Sequence, residues 1–309
     1  MSLKSLSTLM IVAVVCLAGA ALAQDQQPQD QTAGATNEPV FRLLRDAKSA
    51  AKELDFEDEM LKWKPRVDQG TFEVSFSLGF LNLGTTLLEH QQMIYKYTQE
   101  YTYFGDVTIK GQTAFNPVLR LGGNISRWFA LEGTGGMSFS DYSSTVENRK
   151  YQKNEPNAPL LPDPPLGEFD AEARSLFTGQ IGLNAVVYPF NIAERVTSRW
   201  HPYVTGGVEH FWYNMNSNYT QDTATAWGLN LGGGIRLLAD ENISVRFEVI
   251  LHRHTLDWTP APYFTELDEG TVQIPLEEWP VNGSRQLVTD FASQTMNLLN
   301  WSIGAQVTF

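Results

Sequence analysis

Cysteine is nearly absent from this chain of 309 residues, whose single cysteine is Cys16. One cysteine cannot form a disulfide within the chain, and a mature form without Cys16 would have no thiol chemistry. Basic residues are also few, with 22 Lys and Arg against 35 Asp and Glu. An acidic balance of this kind disfavours nucleic acid as a partner.

Long apolar runs are missing as well, because no stretch after the amino-terminal segment approaches the roughly eighteen apolar residues of a membrane-spanning helix. The amino-terminal segment has the features of a secretory signal: Lys4, an apolar stretch over 9–17, and a small-residue cleavage site at 21–23. Removing residues 1–23 leaves 21 basic against 35 acidic residues, a net charge of −14, since Lys4 is the only charge removed. We therefore expect an exported, acidic protein.

The next segment changes character twice. Residues 24–36 are polar and glutamine-rich, which is typical of a disordered leader. Over 37–64 apolar residues recur at intervals of three and four, which predicts an amphipathic helix. These apolar residues are Val40, Leu44, Ala47, Ala51 and Leu54. We expect residues 24–69 to form a periplasmic leader with this helix, which either docks loosely or acts as a plug or partner-binding element.

From residue 70 onward the sequence alternates between apolar and small or polar residues, and we count eight such segments. Strict alternation with period two predicts strands with one apolar face. The segments are residues 72–80, 114–122, 129–139, 176–188, 202–213, 226–238, 243–254 and 301–309.

The links between these segments alternate in length. Those after the second, fourth and sixth segments are short, whereas those at 85–113, 141–174, 214–225 and 256–292 are mostly long. An even number of strands with alternating short turns and long loops is typical of outer-membrane barrels, whose apolar faces point outward. We predict an all-β fold, an eight-stranded antiparallel up-and-down transmembrane β-barrel over 70–309.

The last segment ends on an aromatic residue, Phe309, without a polar tail. Its outward row is Trp301, Ile303, Ala305, Val307 and Phe309. Together with the segments 122–133, 202–208, 232–236 and 244–248 and the pair Tyr188-Pro189, it resembles the OmpA-type outer-membrane β-barrel domain.

The resemblance covers roughly residues 70–309 and implies location in the bacterial outer membrane, among lipid and lipopolysaccharide. It also implies that Phe309 and the outward row are read by the barrel-assembly machinery during insertion. Two features depart from the family: no peptidoglycan-binding domain follows the barrel, and three of the loops are long. Anchoring to the cell wall is therefore not implied.

The predicted inward faces carry charges of both signs. They are Glu73, Arg120, Glu132, Glu209, Arg236, Arg246 and Glu248. The resemblance implies that Glu132, Arg236, Arg246 and Glu248 occupy positions of a buried ion-pair network. Opposite charges must lie together there, because an unpaired buried charge costs several kcal/mol. We expect a lumen plugged by paired charges; a gate or an acid/base role is the alternative.

Two histidines, His252 and His254, fall on the inward face near the outer rim. Some barrel enzymes place a serine nucleophile two residues after a histidine, but the residue two after His254 is Leu256. A third metal ligand is not visible in the sequence. We expect ordinary hydrogen bonds from this pair, with no enzyme activity, metal or cofactor.

The last long loop, 256–292, combines acids with aromatic residues. Seven acidic residues against Arg285 could bind divalent cations shared with lipopolysaccharide phosphates, or be solvated. Exposed aromatics suggest that the loop folds over the barrel mouth or meets an extracellular partner. They are Trp258, Tyr263, Phe264 and Trp279. The sequence favours a structural or surface-interaction role; the alternatives are a small-solute pore, an adhesin-like binder or, less favoured, a lipid-modifying barrel enzyme.

Overall fold

A computed structural model describes residues 67–162, 174–192, 200–239, 242–280 and 283–309. The predicted signal peptide and amino-terminal helix lie outside the described residues. The strands are β1 (Phe72–Asn82), β2 (Thr86–Tyr97), β3 (Tyr101–Gly111), β4 (Ala114–Asn124), β5 (Phe129–Lys153), β6 (Leu161–Pro162), β7 (Arg174–Val187), β8 (Trp200–Met215), β9 (Thr223–Leu238), β10 (Ile243–Leu256), β11 (Tyr263–Leu267), β12 (Gly270–Ile274), β13 (Glu277–Glu278), β14 (Gln286–Leu287) and β15 (Gln294–Thr308). A short helix, α1 (Pro189–Ile192), follows β7. Within these ranges, no helix is long and apolar enough to cross a membrane.

Eight strands close into one antiparallel ring in the order β1, β4, β5, β7, β8, β9, β10, β15 and back to β1. The seam between the first and last strands is complete, since Phe76 pairs with Ala305 and the amide of Phe309 bonds to the carbonyl of Phe72 at 2.8 Å. Each ring strand contains one of the eight predicted segments, except that Tyr188 and Phe309 lie one residue beyond the ends of β7 and β15. The predicted eight-stranded antiparallel barrel is confirmed.

The ring is apolar outside and polar inside. Leu183 and Leu231 are 55% and 65% exposed, whereas Asn184, the next residue along β7, is buried. Alternate residues of a strand point to opposite faces, so apolar side chains outside and polar side chains inside alternate along every ring strand. A continuous exposed apolar belt is stable against lipid and not against water. The chain therefore spans a membrane with its strands.

An aromatic row marks one edge of the apolar belt. Trp301, Phe80, Phe115, Phe139 and Phe177 are successive cross-strand neighbours. The ring centroids of Phe80 lie 4.9 Å from Trp301 and 6.1 Å from Phe115, and Phe139 and Phe177 are 5.1 Å apart. Aromatic girdles of this kind sit at the membrane–water interface. The row therefore places the boundary of the bilayer on five of the eight strands.

Trp212 continues the aromatic edge on β8, and a glycine makes room for it. Gly179 lies directly across from Trp212, and a Cβ added at Gly179 would collide with the indole ring. The indole therefore covers the outer face of the glycine, an arrangement that restores packing where a strand has no side chain.

Beyond this edge, which we call the cap end, the predicted long loops are folded structure. β2 and β3 form a hairpin that pairs with the second half of β5, which runs for 25 residues. The last long segment contains the hairpin β11–β12 and the short strands β13 and β14, and β13 pairs with β2. At the other end, the turn end, the amide of Ala239 bonds to the carbonyl of Ile243 at 2.9 Å, and the amide of Ser126 bonds to the carbonyl of Phe129 at 3.0 Å, so both connections are short.

An apolar core fills the cap end. We call it the cap core; it joins inward residues of the ring strands to residues of the loops above them. The ring contributes Phe211, Tyr213, Leu256, Met296 and Leu298, and the loops contribute Leu88, Ile94, Phe104, Trp258, Tyr263 and Phe291, among others. Of the four loop aromatics, Trp258 and Tyr263 are buried in it, Trp279 packs against it and Phe264 is exposed. The last loop therefore folds over the mouth.

Candidate functional site

The barrel interior gathers the predicted charged residues because alternation sends every second side chain inward. β10 supplies Arg246, Glu248, His252 and His254 along one inward row. The other members come from different strands and are brought to this row by closure of the ring. All seven predicted interior charges and both histidines are buried.

Arg246 is the centre of one cluster. Its Nη1 and Nη2 donate to Oε1 and Oε2 of Glu132 at 2.5 and 3.0 Å, a two-pronged contact. Its Nη2 also donates to Oε2 of Glu248 at 2.6 Å. Arg120 holds the other oxygen of Glu248 and donates to the Ser77 hydroxyl at 2.9 Å. Two arginines and two glutamates are thus paired with one another inside the barrel, as buried charges require.

Tyr203, which was not among the predicted site residues, completes the Arg246 cluster. Its hydroxyl donates to Oε2 of Glu248 at 2.7 Å and accepts from Nε of Arg246 at 2.6 Å. The guanidinium also lies 4.6 Å from the centre of the tyrosine ring. The ring fits because it lies over Gly234, where a Cβ would meet the phenol. Alternation from the outward Val204 could have placed Tyr203 on the inward face.

Arg236 forms a second cluster near the turn end. Its Nη1 donates to Oε1 of Glu73 at 3.0 Å and to the Tyr188 hydroxyl at 2.9 Å. Glu73 also accepts hydrogen bonds from Asn124 at 3.0 Å and from Gln306 at 2.5 Å. The resemblance grouped Arg236 with Glu132, Arg246 and Glu248, whereas the carboxylate that Arg236 contacts in the structure belongs to Glu73. The pairing of β1 with β15 at the seam places the carboxylate of Glu73 beside Arg236.

Glu209 departs from the expected arginine pairing. Its Oε1 lies 2.7 Å from Nδ1 of His252, and its Oε2 accepts from Asn230 at 3.1 Å. Asn230 also donates to Asn184 at 2.8 Å, which ties three strands together. Glu209 and the three arginines lie on different levels of the staggered barrel. The prediction placed Glu209 correctly on the inward face but could not identify its partner.

The two histidines lie beneath the cap core and not at an open rim. The ring of His254 stacks on Phe211 with centroids 4.3 Å apart, and its Nε2 lies 2.8 Å from the Tyr213 hydroxyl. Both histidines are less than 5% exposed. Among the residues that the structure describes, no group of three His, Cys, Asp or Glu is placed to hold a metal ion. The arrangement offers hydrogen bonding and packing.

The cap end carries a third polar arrangement, which was not predicted. Asp106 accepts two hydrogen bonds at Oδ1 from the amide and side chain of Gln92, both 2.9 Å, and one at Oδ2 from Asn148 at 2.5 Å. Gln92 and Asn148 each have a φ of 48° and lie at interruptions of the strand register. The carboxylate thus stabilises two β-bulges on either side of β3.

No protein-family model and no curated protein matches the sequence. Solved structures to which the chain is similar include outer-membrane proteins. Outer membrane protein OprG of Pseudomonas aeruginosa is 10% identical, with 78% of this chain and 97% of that chain covered and a TM-score of 0.47. Outer membrane protein AlkL, solved in DMPC lipid bilayers, is 11% identical, with 92% and 97% covered and a TM-score of 0.40.

The attachment invasion locus protein Ail of Yersinia pestis is 10% identical, with 78% of this chain and 99% of that chain covered and a TM-score of 0.32. These identities are low, and it is the exposed apolar belt of this chain that carries its membrane assignment.

Proposed function

We propose that this protein is an outer-membrane barrel, closed to solutes, whose extracellular layer at the cap end makes contacts with other molecules. The observation that carries the proposal is the filling of the barrel from both directions. The Arg246 and Arg236 clusters occupy the interior, and the cap core covers the mouth. Long connections lie outside the cell in such barrels, which assigns the cap end to the extracellular side.

Closure agrees with the size of the ring. Eight strands enclose a space only about wide enough for side chains to fill. Here that space holds three arginines in hydrogen bonds with glutamates and tyrosines. The aromatic side chains above the histidines add an apolar layer. A solute would have to break buried ion pairs and open an apolar core to pass, which supports an interaction role over a small-solute pore.

Conductance tests this closure. Purified protein inserted in planar lipid bilayers should show no large steady conductance, because the ion pairs and the cap core obstruct the interior. Single-channel recording at neutral pH measures this, with Arg246→Met as a comparison. A large constant conductance that is the same in the wild type and in Arg246→Met would contradict the proposal and favour the small-solute pore.

The extracellular layer depends on the charge of Asp106. Burial by itself raises the pKa of Asp106, but hydrogen bonds from Asn148 and Gln92 lower it below the ordinary value of 3.8. A depressed folded-state pKa contributes stability above the ordinary pKa, and this stability is lost as pH falls through the folded value. Acid should therefore loosen the β2–β3 hairpin.

Amide hydrogen exchange of β2 and β3 would measure this effect in wild type and Asp106→Asn, compared at the same pH. At pH 7 the variant should exchange faster, and the difference should narrow as pH is lowered below about 4. Asp141→Asn, a change at an exposed position on β5, should not alter exchange. If wild type and Asp106→Asn differ by the same factor at pH 7 and pH 3, the bulges do not depend on this carboxylate.

A further inference from the structure

An extracellular groove separates the turn between β2 and β3 from the β11–β12 hairpin. Its volume is about 630 Å³, within the range of sites for small ligands. Glu100, Tyr101 and Tyr103 line one wall, and Glu266 and Asp268 line the other. We propose that this groove binds a small organic cation with more than one ammonium or guanidinium group.

The charges of the groove point to a cation. Three carboxylates face it from two hairpins, and its lining contains no basic side chain. In the described part of the chain, no three such groups are placed to share a metal ion. Carboxylates spaced too widely for one inorganic ion suit an extended cation whose charges are themselves spaced apart.

Aromatic rings supply a second attraction. Tyr101 is half-buried, and its ring centroid lies 6.3 Å from that of Tyr103 and 5.7 Å from that of Tyr151. The face of an aromatic ring attracts ammonium and guanidinium groups. The Nζ atom of Lys96 already lies 5.8 Å from the centre of the Tyr103 ring. The tyrosine cluster is thus suited to cations, and Tyr101 is its more accessible ring at the groove.

Tyr103 provides an independent sign of a ligand. Its side chain is 1% exposed and belongs to the groove wall, yet its hydroxyl has no hydrogen-bond partner among the described residues. Buried polar atoms in native proteins are nearly always paired, so an unpaired one calls for an explanation. A cationic N–H reaching this wall would donate to the phenol oxygen.

The inference rests on the proposed function only for the placement of the groove outside the cell. Binding to the purified protein tests the groove, whereas conductance tests closure, so either can fail alone. A polyol could also stack on tyrosine and bond to carboxylates, but it would gain nothing from three negative charges. An acidic groove therefore favours the cation.

Titration calorimetry with spermidine tests the proposal on the full chain in non-ionic detergent, free of lipopolysaccharide, whose phosphates would bind the same cation. We expect one spermidine per chain. Glu266→Gln with Asp268→Asn should weaken binding at least tenfold. Glu89→Gln with Glu147→Gln removes two exposed negative charges elsewhere in the same layer and should leave the affinity unchanged.

Tyr103→Phe tests the unpaired hydroxyl separately. It should weaken spermidine binding severalfold while the melting temperature stays the same or rises, since the variant loses only a buried unpaired group. If the two double variants weaken spermidine binding equally, the binding reflects the overall negative charge of the layer and not the groove, and the proposal is overturned. Binding of Ca²⁺ or maltose in the groove, with no binding of spermidine, would overturn it as well.

Discussion

Replacing Glu132 by alanine should lower the free energy of unfolding by about 3 to 5 kcal/mol, the range for breaking a buried ion pair by removal of one partner. Both Glu132 and Arg246 are 2% exposed, so water cannot replace the lost carboxylate. Arg246 would keep the Tyr203 hydroxyl, and its one remaining carboxylate would be that of Glu248, which Arg120 also uses. Denaturant-induced unfolding of the barrel in lipid bilayers measures the change.

The matched control for this prediction is the double variant Glu132→Ala/Arg246→Met. Removing both charges leaves no stranded guanidinium, and an apolar replacement of a buried pair is often neutral or stabilising. The double variant should therefore be more stable than Glu132→Ala alone. If both variants lose the same amount, the loss comes from packing around Glu132 and not from the unpaired arginine.

Placing arginine at Leu231 should destabilise the barrel by about 2 to 4 kcal/mol, the cost of a lipid-facing charge near the middle of the bilayer. Leu183→Arg should have a similar effect, because both leucines lie in the outward rows of the belt. Unfolding of the protein in bilayers of defined lipid measures both. The cost arises in the lipid and not in the protein, so it should vanish in a water-soluble barrel.

Thr225→Arg is the control for the lipid-facing variants. Thr225 lies on the same outward row of β9 as Leu231 but beyond Trp227, toward the cap end. Near the membrane interface a lipid-facing arginine costs only about 0 to 1 kcal/mol. A harmless Leu231→Arg, or equal costs at Leu231 and Thr225, would show that the belt does not face lipid.

The buried ion pairs are better explained by specificity than by stability. Desolvation offsets much of the attraction within such pairs, so they add little net stability compared with apolar residues. An ion pair that loses one partner, however, leaves the other charge buried and unpaired, which costs free energy. Any strand register that separates Arg246 from Glu132, or Arg236 from Glu73, is therefore disfavoured. We propose that the clusters select one closure of the ring and at the same time obstruct the interior.

Alternation within single strands made the ring predictable. A period of two is a local property, and it assigned each ring strand and its outward face without knowledge of neighbours. The hairpin β2–β3 escaped detection because the register between its two strands shifts at three places along β2, one of them at Gln92. A bulge adds one residue and moves the following side chains to the opposite face.

The expected role of Phe309 in insertion stays a prediction.

The sequence by itself determined the number of ring strands, the faces they present and the presence of inward charges of both signs, because these follow from local order along the chain. Only the tertiary structure decided which charges meet, since Glu73 and Arg236, or Glu209 and His252, are distant in sequence and joined by the register of the closed ring. It also decided the cap core, which depends on residues from ring strands and loops together. Contacts of this kind depend on closure, and alternation within one strand carries no information about closure.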